Sequence, residues 1–85
     1  MYLLKYTAQA KKDAKKLTKS GLKEDAKSLL DIIVVDPYQE PPPVKVLVGD
    51  LTGALSRRIS YQHRLVYQVV DDKFIKIIRM WSHYE

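Results

Sequence analysis

The 85-residue chain carries 15 lysines and arginines against 10 acids, a formal charge of +5, with two histidines and no cysteine. Neither a disulfide framework nor a thiolate metal site is available, and two histidines without clustered carboxylate or thiol partners are a poor fit to structural zinc. No apolar run approaches membrane-spanning length and no signal-peptide pattern opens the chain, so the expectation is a soluble, cytoplasmic, single domain over residues 1–85 with one modest core and no membrane partner.

In chain order, residues 2–6 (Tyr2-Leu3-Leu4-Lys5-Tyr6) form a short strand rich in apolar and aromatic side chains. Thr7 suits an N-cap, and Ala10, Ala14 and Leu17 recur at helical spacing through a lysine-rich segment. Lys19-Ser20-Gly21 breaks that helix and starts another, whose apolar stripe is Leu22, Ala26, Leu29, Leu30 and Ile33. Asp36-Pro37 stops it, because proline disfavours helix in the residue before it. The two read as an αα-hairpin. Glu40-Pro41-Pro42-Pro43 predicts a stiff, extended connector without strand pairing of its own. Strands then follow at 44–48, 55–61, 63–70 and 74–82, with breaks at Gly49-Asp50-Leu51-Thr52-Gly53 and Asp71-Asp72-Lys73. Links this short make consecutive strands antiparallel neighbours.

These elements assemble into an α+β fold, with two N-terminal helices on one face of a mostly antiparallel sheet of about five strands. Side chains alternate along a strand, so Leu65, Tyr67 and Val69 should pack on the helices and Arg64, Val66 and Gln68 should face the other way. Arg58 joins Arg64 on the open face if Ile59 enters the core. Residues 74–82 are apolar on both faces, and periodicity does not assign them.

Charge is unevenly spread. Residues 1–28 hold eight lysines against three acids, and the remainder is neutral overall. A lysine-rich helix is most often a solvated surface; the alternative is a footprint on nucleic-acid phosphates. The last third gathers Arg57, Arg58, Arg64, His63, His83, Tyr61, Tyr67 and Tyr84 on neighbouring strands. Arginine offers phosphate a fork of donors, histidine titrates near neutral pH, and tyrosine presents a flat face to a base. Each also has a plainer role. Arg57 and Arg58 could pair with Asp50 or Asp71, His63 could cap a hairpin, and Tyr61 and Tyr67 could simply pack.

The order strand–helix–helix–four strands, the block Gly49-Asp50-Leu51-Thr52-Gly53, then Ser56-Arg57-Arg58-Ile59, His63-Arg64-Leu65-Val66-Tyr67 and a terminal His83-Tyr84 together resemble the Txe/YoeB family of RelE-like toxins from bacterial toxin–antitoxin systems. The resemblance is strongest from Gly49 onward. It implies a ribosome-dependent endoribonuclease that cuts mRNA in the A site of the bacterial ribosome, using the RNA 2′-hydroxyl as nucleophile with no metal or cofactor. It implies a cognate YefM/Axe-like antitoxin whose C-terminal segment covers the active site, and leaves a homodimer open. Carried over by motif, Arg64 holds the phosphate, His83 is a general acid, and Tyr84 orients substrate or shapes the site. Arg58 is a further phosphate contact, and Arg57, His63 and Tyr61 complete the RNA-binding candidates.

One position departs from the family pattern. Counting back from Gly49, the place of the family's general-base glutamate holds Lys45. Lys45 could act as base with a pKa lowered by arginine neighbours, or Glu40 or Glu85 could reach in. Alternatively the chain is a weakened, non-catalytic member that binds RNA, ribosome or antitoxin. A generic basic RNA-binding module is a third reading, and would bind naked RNA without a ribosome.

Overall fold

Thr7 organises the start of the chain in the computed structural model, which describes residues 1–49 and 53–81. Its extended backbone and side-chain oxygen cap the first helix by accepting from Ala10 N at 3.0 Å, and the same hydroxyl donates to Ile78 O at 2.8 Å. A single side chain thus closes helix α1 (Ala8–Lys19) and fastens it to the sheet. Gly21, at φ 75°, makes the left-handed turn into α2 (Lys23–Ile33), whose Ala26, Leu29 and Ile33 are buried as the stripe predicts.

The strands are β1 (Leu3–Tyr6), β2 (Lys45–Val46), β3 (Leu55–Arg58), β4 (Arg64–Val69) and β5 (Phe74–Arg79), in the spatial order β1-β5-β4-β3-β2. All neighbours are antiparallel except β1, which lies parallel to β5 at the edge. Every strand is shorter than the segment expected for it. The expected segments 44–48 and 55–61 keep ladder pairing only over Lys45–Val46 and Leu55–Arg58. Both helices pack on one face, where Leu17, Ile33, Leu65, Tyr67, Ile75 and Ile77 are all within 1% of full burial. Removing each aliphatic side chain of this set from water contributes about 1.5–3 kcal/mol.

A bulge resolves the last strand. Tyr67 pairs with Ile77 but Val66 pairs with Arg79, so Ile78 is the extra residue. The phase flips there. Ile75 and Ile77 face the helices before the bulge, and Met80 returns to the core after it, while Arg79 crosses to the opposite face. Asp13, 2% exposed, secures this end of β5: its carboxylate accepts from Met80 N at 3.0 Å and from Gln9 Nε2 at 2.8 Å.

The connector before β2 is not the extended strut expected of its prolines. The carbonyls of Pro37, Gln39 and Pro42 converge on one guanidinium, that of Arg57, and the segment curls against the helix side of the sheet to deliver them. Among the described residues, no helix is long and apolar enough to cross a membrane.

Candidate functional site

Strand register decides which arginines share a face. Arg57 pairs with Leu65 and lies on the helix side, whereas Arg58 pairs directly with Arg64 and Ser56 with Val66 on the other side. Lys45 pairs with Ser56, so it belongs to the face of the arginine pair, two strand positions from Arg58. The Ser56 hydroxyl, itself buried, accepts from Arg64 Nε at 2.7 Å. That bond fixes the plane of the guanidinium and leaves its two terminal nitrogens, among the described residues, without a protein acceptor.

Like charges set directly across a ladder repel. Arg58 and Arg64 nevertheless have no carboxylate partner among the described residues, where Lys27–Asp31 on α2 is the one salt bridge. With Pro42 and Pro43 they line an open concavity of about 300 Å³. Two arginine forks with no carboxylate partner among the described residues, set in a proline-walled hollow, have the chemistry to accept an anion, and the planar fork matches a phosphate. A separate concavity of about 260 Å³ between the helices is lined by Tyr6, Ala14, Leu17, Leu30 and Met80 and holds none of the candidate residues.

Arg57 corrects the sequence expectation. It is 0% exposed and spends its donors internally: Nε on Tyr67 Oη at 2.9 Å, Nη1 on Pro42 O at 2.7 Å, and Nη2 on Pro37 O at 3.1 Å and Gln39 O at 2.7 Å. It is neither at the surface, where an exposed ion pair would form, nor open to RNA. It holds the proline wall in place. Tyr67 Oη donates onward to Pro37 O at 2.6 Å, and burial pushes this phenol above its ordinary pKa despite the opposing bond from Arg57. The signal was present in the sequence: Arg57 has the parity of Leu55 and Ile59, both core residues. Ser56 as the support of Arg64 and Asp13 as the anchor of β5 carry no sequence signal, because each acts through a partner on another element.

His63 is half-buried and engaged. Its ring stacks on Trp81 with centroids 4.1 Å apart, and Nδ1 lies 2.6 Å from Trp81 O. A carbonyl only accepts, so Nδ1 carries the proton of that bond. His63 therefore fixes Trp81, two residues before His83. Tyr61, 88% exposed, is free to present its ring. Glu40, in the connector, accepts from Val44 N at 3.4 Å. His83, Tyr84, Glu85 and the turn Asp50-Leu51-Thr52 lie outside the described residues. Among the described residues no cluster of three or more His, Cys, Asp or Glu side chains could hold a metal.

A family profile described as the YoeB-like toxin of bacterial type II toxin-antitoxin system matches residues 5–84. The chain belongs to that family. The Toxin YoeB of Streptomyces coelicolor is 42% identical over 59 residues, a match covering 66% of this chain and 66% of that relative's length. The fold of the YoeB-YefM complex from Staphylococcus aureus superimposes with a TM-score of 0.82 at 32% identity, covering 99% of each chain. A YoeB dimer from the same organism gives 0.83 at 34% identity, covering 98% of each. The two helices on a five-stranded mixed sheet are thus the YoeB arrangement, and the chain is a toxin of a type II toxin–antitoxin system.

Proposed function

We propose that this YoeB-family toxin is an endoribonuclease that cuts mRNA in the ribosomal A site, acting in the cytoplasm. The observation that carries the reading is the Arg58–Arg64 cross-strand pair, uncompensated by carboxylate among the described residues and braced by Ser56. In this chemistry the 2′-oxygen attacks the neighbouring phosphorus as its proton leaves to a base. The bond from phosphorus to the 5′-oxygen breaks, and an acid protonates that oxygen. Negative charge grows on the non-bridging oxygens in between, where fixed donors aimed at the site act most strongly. Arg64 supplies two parallel donors there, and Arg58 a second cation. His83 serves as the acid and Tyr84 as an orienting group, as the family pattern implies. Tyr61 offers a ring beside the site, and the His63–Trp81 stack steadies the segment leading to His83.

The antitoxin in this reading is a YefM-like partner whose acidic C-terminal segment folds over the arginine pair and His83, and a homodimer is a further assembly the chain can adopt. Both take their support from the solved relatives, one a YoeB-YefM complex and one a YoeB dimer. Lys45 favours a second reading. It is exposed on the same face as Arg64, where it either takes the 2′-proton or only grips phosphate, and in the latter case the protein binds without efficient cutting. Primer extension on mRNA translated by purified ribosomes tests both. Specific stops that vanish with Arg64→Ala support the nuclease. Absence of stops with ribosome binding retained favours the binding member.

A further inference from the structure

The open face of the sheet extends well beyond the arginine pair. The parallel register sets Lys5 beside Lys76 and Leu3 beside Phe74, and the antiparallel register sets Lys76 beside Gln68, four residues along β4 from Arg64. Every charged side chain that these registers place on this face is basic: Lys45, Arg58, Arg64, Arg79, Lys76 and Lys5. Lys5 and Lys76 repel as direct neighbours, and neither has an acidic partner among the described residues. With Phe74 and Val70 they enclose a concavity of about 240 Å³. Lys5 Nζ sits 4.0 Å from the Phe74 ring centroid, so a ligand arriving there meets an ammonium group over the ring. Asp71, in the turn at this end, directs its carboxylate to the backbone N–H groups of Lys73 and Phe74.

We infer that Lys5 and Lys76 form a phosphate subsite for the same RNA strand whose scissile phosphate rests on Arg58 and Arg64. The inference rests on the nuclease reading and adds the path of the substrate across the sheet. Four residues along β4 cover about 13 Å, and each neighbouring strand adds about 5 Å sideways. The two cationic sites are therefore a few extended nucleotides apart on one continuous surface whose described strand residues include no acid, the arrangement that guides a single strand by its backbone. An acidic peptide is the weaker match, because the apolar floor it would need is capped by Lys5.

The test measures binding of single-stranded oligoribonucleotides, blocked at the scissile 2′-hydroxyl, to the full chain by fluorescence anisotropy across a salt series. One is a trinucleotide and the other has about nine nucleotides, within the usual range of single-strand sites. The Lys5→Gln, Lys76→Gln double variant removes both charges and keeps a polar side chain with part of each aliphatic stem. Its expected result is a salt slope for the longer strand reduced by about 0.7 per lysine removed, an affinity loss on the order of ten-fold at 0.1 M salt, and an unchanged trinucleotide. Equal loss for both lengths, no loss for either, or no binding by the wild type would overturn the inference. Unchanged RNA binding with weaker binding of an acidic antitoxin peptide would also overturn it and assign the face to the partner. A wild type that binds by length yet never cuts on ribosomes would sink the nuclease reading alone.

Discussion

Replacing Arg57 with methionine keeps most of the side chain's volume and removes its donors. Gln39 O and Pro42 O then lose the guanidinium bonds that hold them, whereas Pro37 O keeps the Tyr67 hydroxyl. A buried polar group left unpaired costs about 1–3 kcal/mol, but both bonds are only part-buried and the buried charge is removed with them, so the net loss should be about 1–3 kcal/mol. A chain of 85 residues has a total stability of about 4–13 kcal/mol at the usual value per residue, so the variant should lose a measurable fraction of it while still folding. Arg57→Lys should fall in between, because one ammonium cannot reach four acceptors spread around a planar fork. Urea denaturation followed by tryptophan fluorescence measures both. The salt dependence of oligoribonucleotide binding supplies the control, since a residue with no exposure should leave the slope of the folded Arg57→Lys protein unchanged. Stability of Arg57→Met within about 1 kcal/mol of wild type would refute the clamp. A shallower salt slope for Arg57→Lys would put the residue back on the RNA.

Arg64→Ala should lower ribosome-dependent cleavage about 10²–10³-fold, and Arg64→Lys should also be impaired because it keeps the charge and loses the fork; single-turnover cleavage rates check both. Lys45→Glu should reduce cleavage, since Lys45 shares the face of the arginine pair, and a rise in rate would show instead that the site lacks only its base. Asp13→Ala should destabilise the fold by about 1–3 kcal/mol in urea titrations, because Met80 N would be left without its acceptor at the end of β5. The Tyr67 phenol has a folded pKa above its ordinary 10.0, so the unfolded chain releases that proton first and stability falls as pH rises through the alkaline range. Tyr67→Phe should flatten that alkaline limb of the stability–pH curve while costing stability at neutral pH through the two lost hydrogen bonds.

Local signals sufficed where the physics is local. Thr7 reads as a cap because its side chain satisfies an N–H three residues away, and Gly21 reads as a break because the turn there needs positive φ. The stripe of α2 and the inward set Leu65, Tyr67 and Val69 follow from helical and strand periods, and β3 parity placed Arg58 beside Arg64. Three things required the tertiary structure. The bulge at Ile78 shifts the phase of β5, and two apolar faces carry no mark of where a phase slips. The parallel edge pairing of β1 with β5 joins the first and last of the described strands in sequence, which brings Lys5 to Lys76 across 71 residues. The burial of Arg57 depends on carbonyls 15 to 20 residues upstream that become acceptors only when the proline segment curls around them. Side-chain type announces that a cation is present, but the shape of the distant backbone decides whether it meets a phosphate or a carbonyl.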